Sequence, residues 1–281
     1  MNTSNQTYKE LSTPFFKETF DCIDEIMKEH QIPYYLIGAN AIALELLKEG
    51  IKPSRGTRDI DFAIMISNTD EYEKISKDLE SKGFKRIKDD YRFFSHQKNL
   101  VVDILPFGQI EEEYTESFIE RKVDLHLLGF KEVLEEAVEV YIEEKIANIP
   151  PLPGMVILKL IAWNDRPEYR ENDLDDILKI IEKYYDLQFN EILESHYDTF
   201  PEEDTIEIDQ LLIAAEVLGR KSKLFLNKSK ELSERILQIL ETNLQSASKS
   251  QIAKNWAQKL NSDIEYAHSI LEAFQKGILK D

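Results

Sequence analysis

Two aspartates, Asp59 and Asp61, stand one residue apart inside the apolar run "DIDFAIMI". Side chains alternate along a β-strand, so both carboxylates point to one face while Phe62 and Ile64 point to the other. Two like charges this close repel each other, and removing them from water costs further free energy. A divalent cation would offset both costs, so the pair predicts a metal site. Without the metal, repulsion should raise the pKa of at least one of these carboxylates.

A third carboxylate, Asp103, lies in the strand-like segment "NLVVDILPFG". If this strand lies beside the first, three aspartates converge at one end of the sheet, within about 6 Å of one another. Oxygen ligands of this kind suit Mg²⁺ or Mn²⁺. We therefore predict that Asp59, Asp61 and Asp103 are catalytic and hold one or two ions for nucleotidyl transfer from a nucleoside triphosphate. Asp103 could also act as the base that deprotonates the acceptor.

The segment "LIGANAIALELL" supplies a phosphate-binding element. A strand ends at Gly38 and a helix begins at once with Ala39. Unpaired backbone N–H groups at the start of a helix bind anions, and glycine lets a phosphate approach closely. Strand, glycine and helix, followed by Asp-x-Asp and a later Asp, form a far more specific signal than Gly38-Ala39 alone.

Thr57 and Arg58 directly precede the first aspartate, and Arg92 opens another strand-like segment. Arginine offers a planar, bidentate fork that matches phosphate, so Arg58 and Arg92 are candidate triphosphate ligands, with Thr57 in the same nucleotide-binding set. Surface salt bridges are the alternative for both arginines. The alternative for Asp59 and Asp61 is a pair of solvent-facing acids at a sheet edge.

Helical and strand-like segments alternate up to residue 150, which predicts an α+β fold with a mixed β-sheet and flanking helices. "KVDLHLLGF", "VEVYI" and "KIANI" are further strand-like pieces. The proline-rich segment "PPLP" marks a boundary between a catalytic domain, 1–150, and a helical C-terminal domain, 151–281. In the second part, periodicity predicts helices near 154–163, 171–185, 204–219, 222–243, 249–260 and 262–277.

Composition narrows the class of protein. The chain of 281 residues has a net charge of −19, from 54 acidic and 35 basic residues. This charge argues against a broad electrostatic grip on nucleic acid, although a local basic groove is compatible with it. No apolar run approaches the roughly 20 residues of a membrane span, and the N-terminus lacks the features of a signal peptide. With a single cysteine, Cys22, the sequence predicts a cytoplasmic protein.

Four motifs resemble the AbiEii/AbiGii toxin-like branch of the nucleotidyltransferase superfamily: "IGANAIALEL", "TRDIDFAIMI", "VVDILPFGQIE" and "KLIAWNDRPEYRENDLDDILKII". The resemblance implies a nucleotidyltransferase-like sheet and a helical domain that completes the nucleotide cleft. It implies that Lys159 contacts the nucleotide phosphates, and that Asp173 and Asp176 match the family's paired acids. The glycine motif here is Gly38-Ala39 instead of Gly-Ser or Gly-Gly, so Asn40 is a candidate to replace the serine contact.

The resemblance further implies a toxin-like enzyme whose acceptor is a tRNA 3′ end or a protein, with a possible cognate antitoxin. Two other functions remain open: a small-molecule transferase that modifies antibiotics, which the acidic balance favours because cationic drugs are attracted to acidic clefts, and a non-catalytic interaction protein on a degenerate core. For Lys159 the alternative is a solvated helix lysine. For Asp173 it is an acid at a helix N-terminus.

Overall fold

The computed structural model describes residues 8–53, 56–87, 90–110, 127–202 and 207–280. The chain forms two compact units, Met1–Pro151 and Leu152–Asp281. The first unit is a mixed sheet with helices and the second is helical, so the predicted α+β class is confirmed. None of the helices described is long and apolar enough to cross a membrane.

A five-stranded sheet forms the centre of the first unit, with strand order β1-β2-β5-β4-β3. Strands β2 and β5 are parallel, and the other neighbours are antiparallel. The strands are β1 (Tyr34–Ile37), β2 (Asp59–Met65), β3 (Lys85–Arg86), β4 (Arg92–Ser95) and β5 (Leu100–Phe107), and the accompanying helices are α1 (Phe16–Glu29), α2 (Gly38–Leu47) and α3 (Thr69–Ser81).

The alternation of apolar residues in β2 decides which face of the sheet is covered. Phe62 and Ile64 are fully buried on the face that α1 covers, where the Phe20 and Phe62 rings lie 6.1 Å apart. Helix α3 covers the same face, since the Tyr72 hydroxyl donates to the carbonyl of Ile104, the β5 residue paired with Phe62. The aspartates of β2 therefore point to the opposite face.

A helix and a hairpin complete the first unit: α4 (Phe130–Leu134), β6 (Val138–Ile142) and β7 (Lys145–Ile149). The two strands agree with the predictions from "VEVYI" and "KIANI". The strand predicted from "KVDLHLLGF" is wrong at its end, because Phe130 starts a helix behind Gly129, and residues 122–126 lie outside the described residues.

The second unit contains α5 (Leu152–Asp165), α6 (Glu171–Leu187), α7 (Phe189–Ser195), α8 (Gln210–Leu226), α9 (Lys230–Leu244), α10 (Gln251–Leu260) and α11 (Ile264–Leu279). The predicted break near residues 220–221 is wrong, since α8 continues through Gly219. This glycine serves helix packing instead: a Cβ there would lie 2.1 Å from the Phe274 carbonyl oxygen of α11. The break comes at Ser229, whose hydroxyl caps α9 by accepting from Leu232 N–H.

A buried carboxylate joins α1 to strands β1 and β7. The Asp24 side chain is 4% exposed and accepts hydrogen bonds from Lys145, Lys28 and Tyr34, the last at 2.7 Å. Burial alone would raise the pKa of Asp24, but these three hydrogen bonds outweigh burial and lower it. The charged form is thus favoured in the folded state, which stabilises the fold above the ordinary pKa of an aspartate.

We expect Lys145→Met to lower the free energy of unfolding by about 2 kcal/mol at neutral pH, because it leaves a buried carboxylate short of its main partner. The loss should shrink as pH falls through the lowered pKa of Asp24, where protonation removes the charge from both proteins. Urea unfolding at several pH values measures this. Lys28→Met is the matched control: Lys28 is 69% exposed and should cost at most about 0.5 kcal/mol. Equal losses in the two variants would contradict the assignment.

Candidate active site

The three aspartates lie on one face of the sheet. In the parallel pair of β2 and β5, Asp61 stands directly opposite Asp103, and Asp59 stands opposite Val101. Because partner residues in a sheet point to the same side, Asp61 and Asp103 share a face, and Asp59 joins them two residues earlier. The structure thus places Asp103 on the same face as Asp61, which lies 42 residues earlier in the chain, and Asp59.

Gly38 packs directly against the Asp61 carboxylate. A Cβ on Gly38 would lie 2.2 Å from Asp61 Oδ2, and the glycine has a φ of +67°. Both the backbone conformation and the close approach exclude a side chain at this position. The first turn of α2 therefore begins beside the β2 aspartates, because β1 and β2 are antiparallel neighbours and Ile37 pairs with Asp61. Backbone N–H groups at this helix start are placed where an anion next to the carboxylates would lie.

Arg92 lies across the carboxylates. It opens β4, whose antiparallel register with β5 places it opposite Asp103. Its Nε donates to Asp103 Oδ1 at 2.8 Å and its Nη2 to Asp103 Oδ2 at 2.7 Å, while Nη2 also lies 3.8 Å from Asp59 Oδ2. Hydrogen bonding to Asp103 raises the pKa of Arg92 above its usual range. This guanidinium offsets the charge of Asp103, in line with the salt-bridge alternative given for Arg92.

Asp59 lies near both the Arg92 guanidinium and the Asp103 carboxylate. Burial raises its pKa, the nearby Asp103 carboxylate adds to the rise, and the Arg92 guanidinium opposes it. The predicted rise in the pKa of one carboxylate is therefore confirmed in direction, although its main cause is burial rather than repulsion. The surroundings of Asp59 thus disfavour its charged form relative to water, which suits a residue that meets a cation.

The donor set can be compared with what a divalent cation needs. Asp59 and Asp61 are oxygen donors on one face, as Mg²⁺ prefers. Asp103 is different, because both of its oxygens accept from Arg92. Within the part of the chain that the structure describes, no three His, Cys, Asp or Glu side chains form a ready metal-binding group. Asp59 and Asp61 thus offer the donor type that a cation takes, whereas both oxygens of Asp103 are paired with Arg92.

Asn40 holds the site together instead of facing a ligand. It is 1% exposed; its Nδ2 donates to the Asp59 carbonyl at 3.1 Å, and its Oδ1 accepts from the Thr13 hydroxyl at 2.9 Å. Both ends of the amide are used, so Asn40 positions β2 against α2. The predicted contact of Asn40 with phosphate stays a prediction. Thr13, just before α1, was not among the residues predicted for the site.

The remaining predicted residues of this unit lie at the start of α2 and just before β2. Gly38 and Ala39 are partly exposed at the start of α2, and Arg58 is exposed just before β2. Thr57 has a local role: its hydroxyl accepts from Asp59 N–H at 3.2 Å and so fixes the entry to β2.

Lys159, Asp173 and Asp176 form a compact ionic group in the second unit. Lys159 Nζ on α5 lies 2.8 Å from Asp173 Oδ1 and 2.8 Å from Asp176 Oδ2, both on α6. The Lys159 side chain is 12% exposed. Burial alone would lower its pKa, but the two carboxylates outweigh burial and raise it. The alternative of a solvated lysine is therefore wrong, and the paired acids serve first to neutralise Lys159.

Arg170 was missed by the sequence analysis and belongs to the same group. Its Nη1 lies 3.5 Å from Asp173 Oδ2, at the start of α6. The i, i+3 spacing of the two residues is the signal that could have found this contact.

A family model described as "Nucleotidyl transferase AbiEii toxin, Type IV TA system" matches residues 28–275. No curated protein sequence matches the chain.

Distant similarities to solved structures exist. An antigenic nucleotidyltransferase-like protein from Paracoccidioides brasiliensis is 14% identical, with 82% of this chain and 94% of that chain covered and a TM-score of 0.40. ANT(2″)-Ia in complex with adenylyl-2″-tobramycin is 16% identical, covering 57% and 84%, with a TM-score of 0.39. The lincomycin-bound lincosamide antibiotic adenylyltransferase LnuA is 18% identical, covering 62% and 96%, with a TM-score of 0.37. Similarity this distant says nothing about the acceptor of this chain.

We expect Gly38→Ala to destabilise the protein by at least about 2 kcal/mol, because the new methyl group meets Asp61 and the backbone is strained. Gly50→Ala is the matched control. Gly50 lies just beyond the other end of α2 with a φ of +75°, and a Cβ there meets nothing within 4 Å. It should cost only the backbone strain, about 1 kcal/mol. Thermal or urea unfolding compares the two, and equal costs would show that Asp61 does not pack on Gly38.

We expect Lys159→Met to cost about 3 kcal/mol of stability, since it leaves two mostly buried carboxylates without their shared cation. Adding Asp173→Asn and Asp176→Asn should recover part of the loss, as measured by urea unfolding. Contact between Lys159 and nucleotide phosphates stays a prediction; if it holds, the triple variant regains stability but still binds nucleoside triphosphate weakly in calorimetry. A single variant of unchanged stability would contradict the buried ionic group.

Proposed function

We propose a function from one premise: the chain belongs to the AbiEii nucleotidyl transferase toxin family, whose model matches residues 28–275. Membership confirms the resemblance drawn from the four sequence motifs. The protein is thus a member of a nucleotidyltransferase family of the Type IV toxin–antitoxin class.

The proposed reaction moves a nucleoside monophosphate from a nucleoside triphosphate to an acceptor. An oxygen of the acceptor attacks the α-phosphorus, the bond to the bridging oxygen of the β-phosphate breaks, and pyrophosphate leaves. One observation carries this proposal: the glycine at the start of α2 packs on Asp61, beside Asp59 and opposite Asp103. Anion-binding N–H groups and cation-binding carboxylates thus lie side by side, as a metal-bound triphosphate requires.

Asp59 and Asp61 would hold Mg²⁺ or Mn²⁺, which supplies neutralising charge for the triphosphate when bound. The backbone at Gly38 and Ala39 would bind phosphate oxygens, because these N–H groups lie at the start of a helix. Arg58 is exposed beside β2 and can add a fork-shaped cation for the same phosphates. Asn40 and Thr57 position β2 beside these groups.

The acceptor in this proposal is a tRNA 3′ end or a protein, and a cognate antitoxin counters the activity in the cell. A small cationic molecule such as an aminoglycoside is the second candidate. The observation that favours it is the net charge of −19, which attracts cations and repels polyanions such as RNA.

The experiment is to incubate the protein with each α-³²P-labelled nucleoside triphosphate and Mg²⁺, together with total tRNA, cell protein or an antibiotic panel. We expect label in one acceptor class and release of pyrophosphate. Asp61→Asn should abolish the labelling, because it removes one of the two carboxylates placed for the cation. Asp70→Asn is the matched control, since it removes the same charge at an exposed position of α3.

Labelling that survives Asp61→Asn, or that fails with every acceptor, would overturn the proposed reaction. Co-expression with proteins encoded beside the gene tests for the antitoxin. A protein that restores growth without altering the labelled acceptor supports the proposed antitoxin.

A further inference from the structure

We infer that Arg92 keeps the third carboxylate from a metal ion until an anion takes its guanidinium. Arg92 is in this view a positioning residue that acts through Asp103. The inference rests on the proposed function, which supplies the divalent cation and the triphosphate as ligands of the site.

The contacts of Arg92 make it a direct competitor of a cation. Two of its nitrogens donate to the two oxygens of Asp103, at 2.8 and 2.7 Å. Such a bidentate pair is among the stronger hydrogen-bonded ion pairs in proteins. Its Nη2 is also 3.8 Å from Asp59 Oδ2, so one nitrogen stands between carboxylates of two different strands. A shared metal ion would have to occupy this same place.

The two members of the Arg92–Asp103 pair differ in burial, and this difference decides which of them can move. Asp103 is 7% exposed and sits inside β5, so it has little freedom to turn toward another partner. The Arg92 side chain is 35% exposed and lies at the start of β4. When the pair opens, the arginine is therefore the member that moves. A triphosphate offers it the bidentate partner that it loses, since guanidinium matches phosphate as well as carboxylate.

This exchange couples the two ligands. Without an anion, Asp59 and Asp61 would hold a metal ion between them, and Asp103 would stay paired with Arg92. With a triphosphate on Arg92, Asp103 becomes available both to a metal ion and as an acceptor for the proton of the attacking hydroxyl. Binding of one ligand then favours binding of the other, by thermodynamic linkage.

Arg92→Gln should shift the two affinities in opposite directions. In nucleotide-free protein, we expect the Kd for Mn²⁺, measured by the loss of the free Mn²⁺ signal in electron paramagnetic resonance, to fall about tenfold. In buffer with EDTA, we expect the Kd for inorganic triphosphate, measured by calorimetry, to rise about tenfold. A residue that only supports the fold would weaken both. Unchanged or weaker Mn²⁺ binding overturns the inference, and unchanged triphosphate binding overturns the exchange.

Arg86→Gln is the matched control. Arg86 of β3 makes an equally forked pair with Glu73, at 3.0 and 3.2 Å, but it stacks on Phe93 at the helix-covered face of the sheet. It should leave both affinities as in the wild type. In the double variant Arg92→Gln, Asp103→Asn, the gain in Mn²⁺ affinity should disappear, because the gain comes from Asp103.

Arg92→Lys covers the case in which Arg92→Gln does not fold, as judged by circular dichroism. Lysine keeps the charge but loses the fork, so a smaller gain in Mn²⁺ affinity is expected, and no gain overturns the inference. Neither binding measurement needs turnover. A failed labelling experiment with wild-type protein therefore counts against the proposed reaction alone, and a missing Mn²⁺ gain against Arg92 alone.

Discussion

The crowding of three carboxylates on one face of β2 and β5 is the constraint on which the first unit depends. The parallel register places Asp61 opposite Asp103, and the alternation of the strand adds Asp59. The groups next to these carboxylates carry positive charge or polar N–H groups that offset their negative charge. Arg92 pairs with Asp103 and approaches Asp59, and the start of α2 with its polar N–H groups lies over Asp61. The same features support the proposal that this face binds a cation and phosphates.

The buried polar residues around this face keep its elements in register. The Asn40 side chain bridges the Asp59 carbonyl and the Thr13 hydroxyl, so α2, β2 and the segment before α1 are held by one amide. Asp24 does the same at the other side of α1, where it joins the helix to β1 and β7. These groups lie under or beside the site rather than in it, and they explain how short elements present carboxylates at fixed positions.

The family match and the side-chain geometry give different kinds of information about this chain. The match over residues 28–275 shows the family, while the contacts of Arg92 and Lys159 are features of this chain's own side chains. Both cations were predicted to meet phosphate, and both are found on carboxylates. In Lys159 the pair is buried between two helices and belongs to the core of its unit. Arg92 is partly exposed, which is why we assign it an exchangeable role.

Sequence alone determined strands β1, β2 and β5, because alternation in "DIDFAIMI" and "LVVDILPF" and the glycine after "YYLI" are local signals that survive in the fold. It also determined the family and the shared face of Asp59 and Asp61. The pairing of Arg92 with Asp103 was within reach, since the four-residue turn at 96–99 fixes the hairpin register. Only the tertiary structure decided which cationic side chain pairs with which carboxylate. Partner choice between charges depends on distances between strands and helices that lie far apart in sequence, as with Gly38 on Asp61. Helix packing likewise overrode the local signal at Gly219, where close approach of α11, and not a helix end, required the glycine.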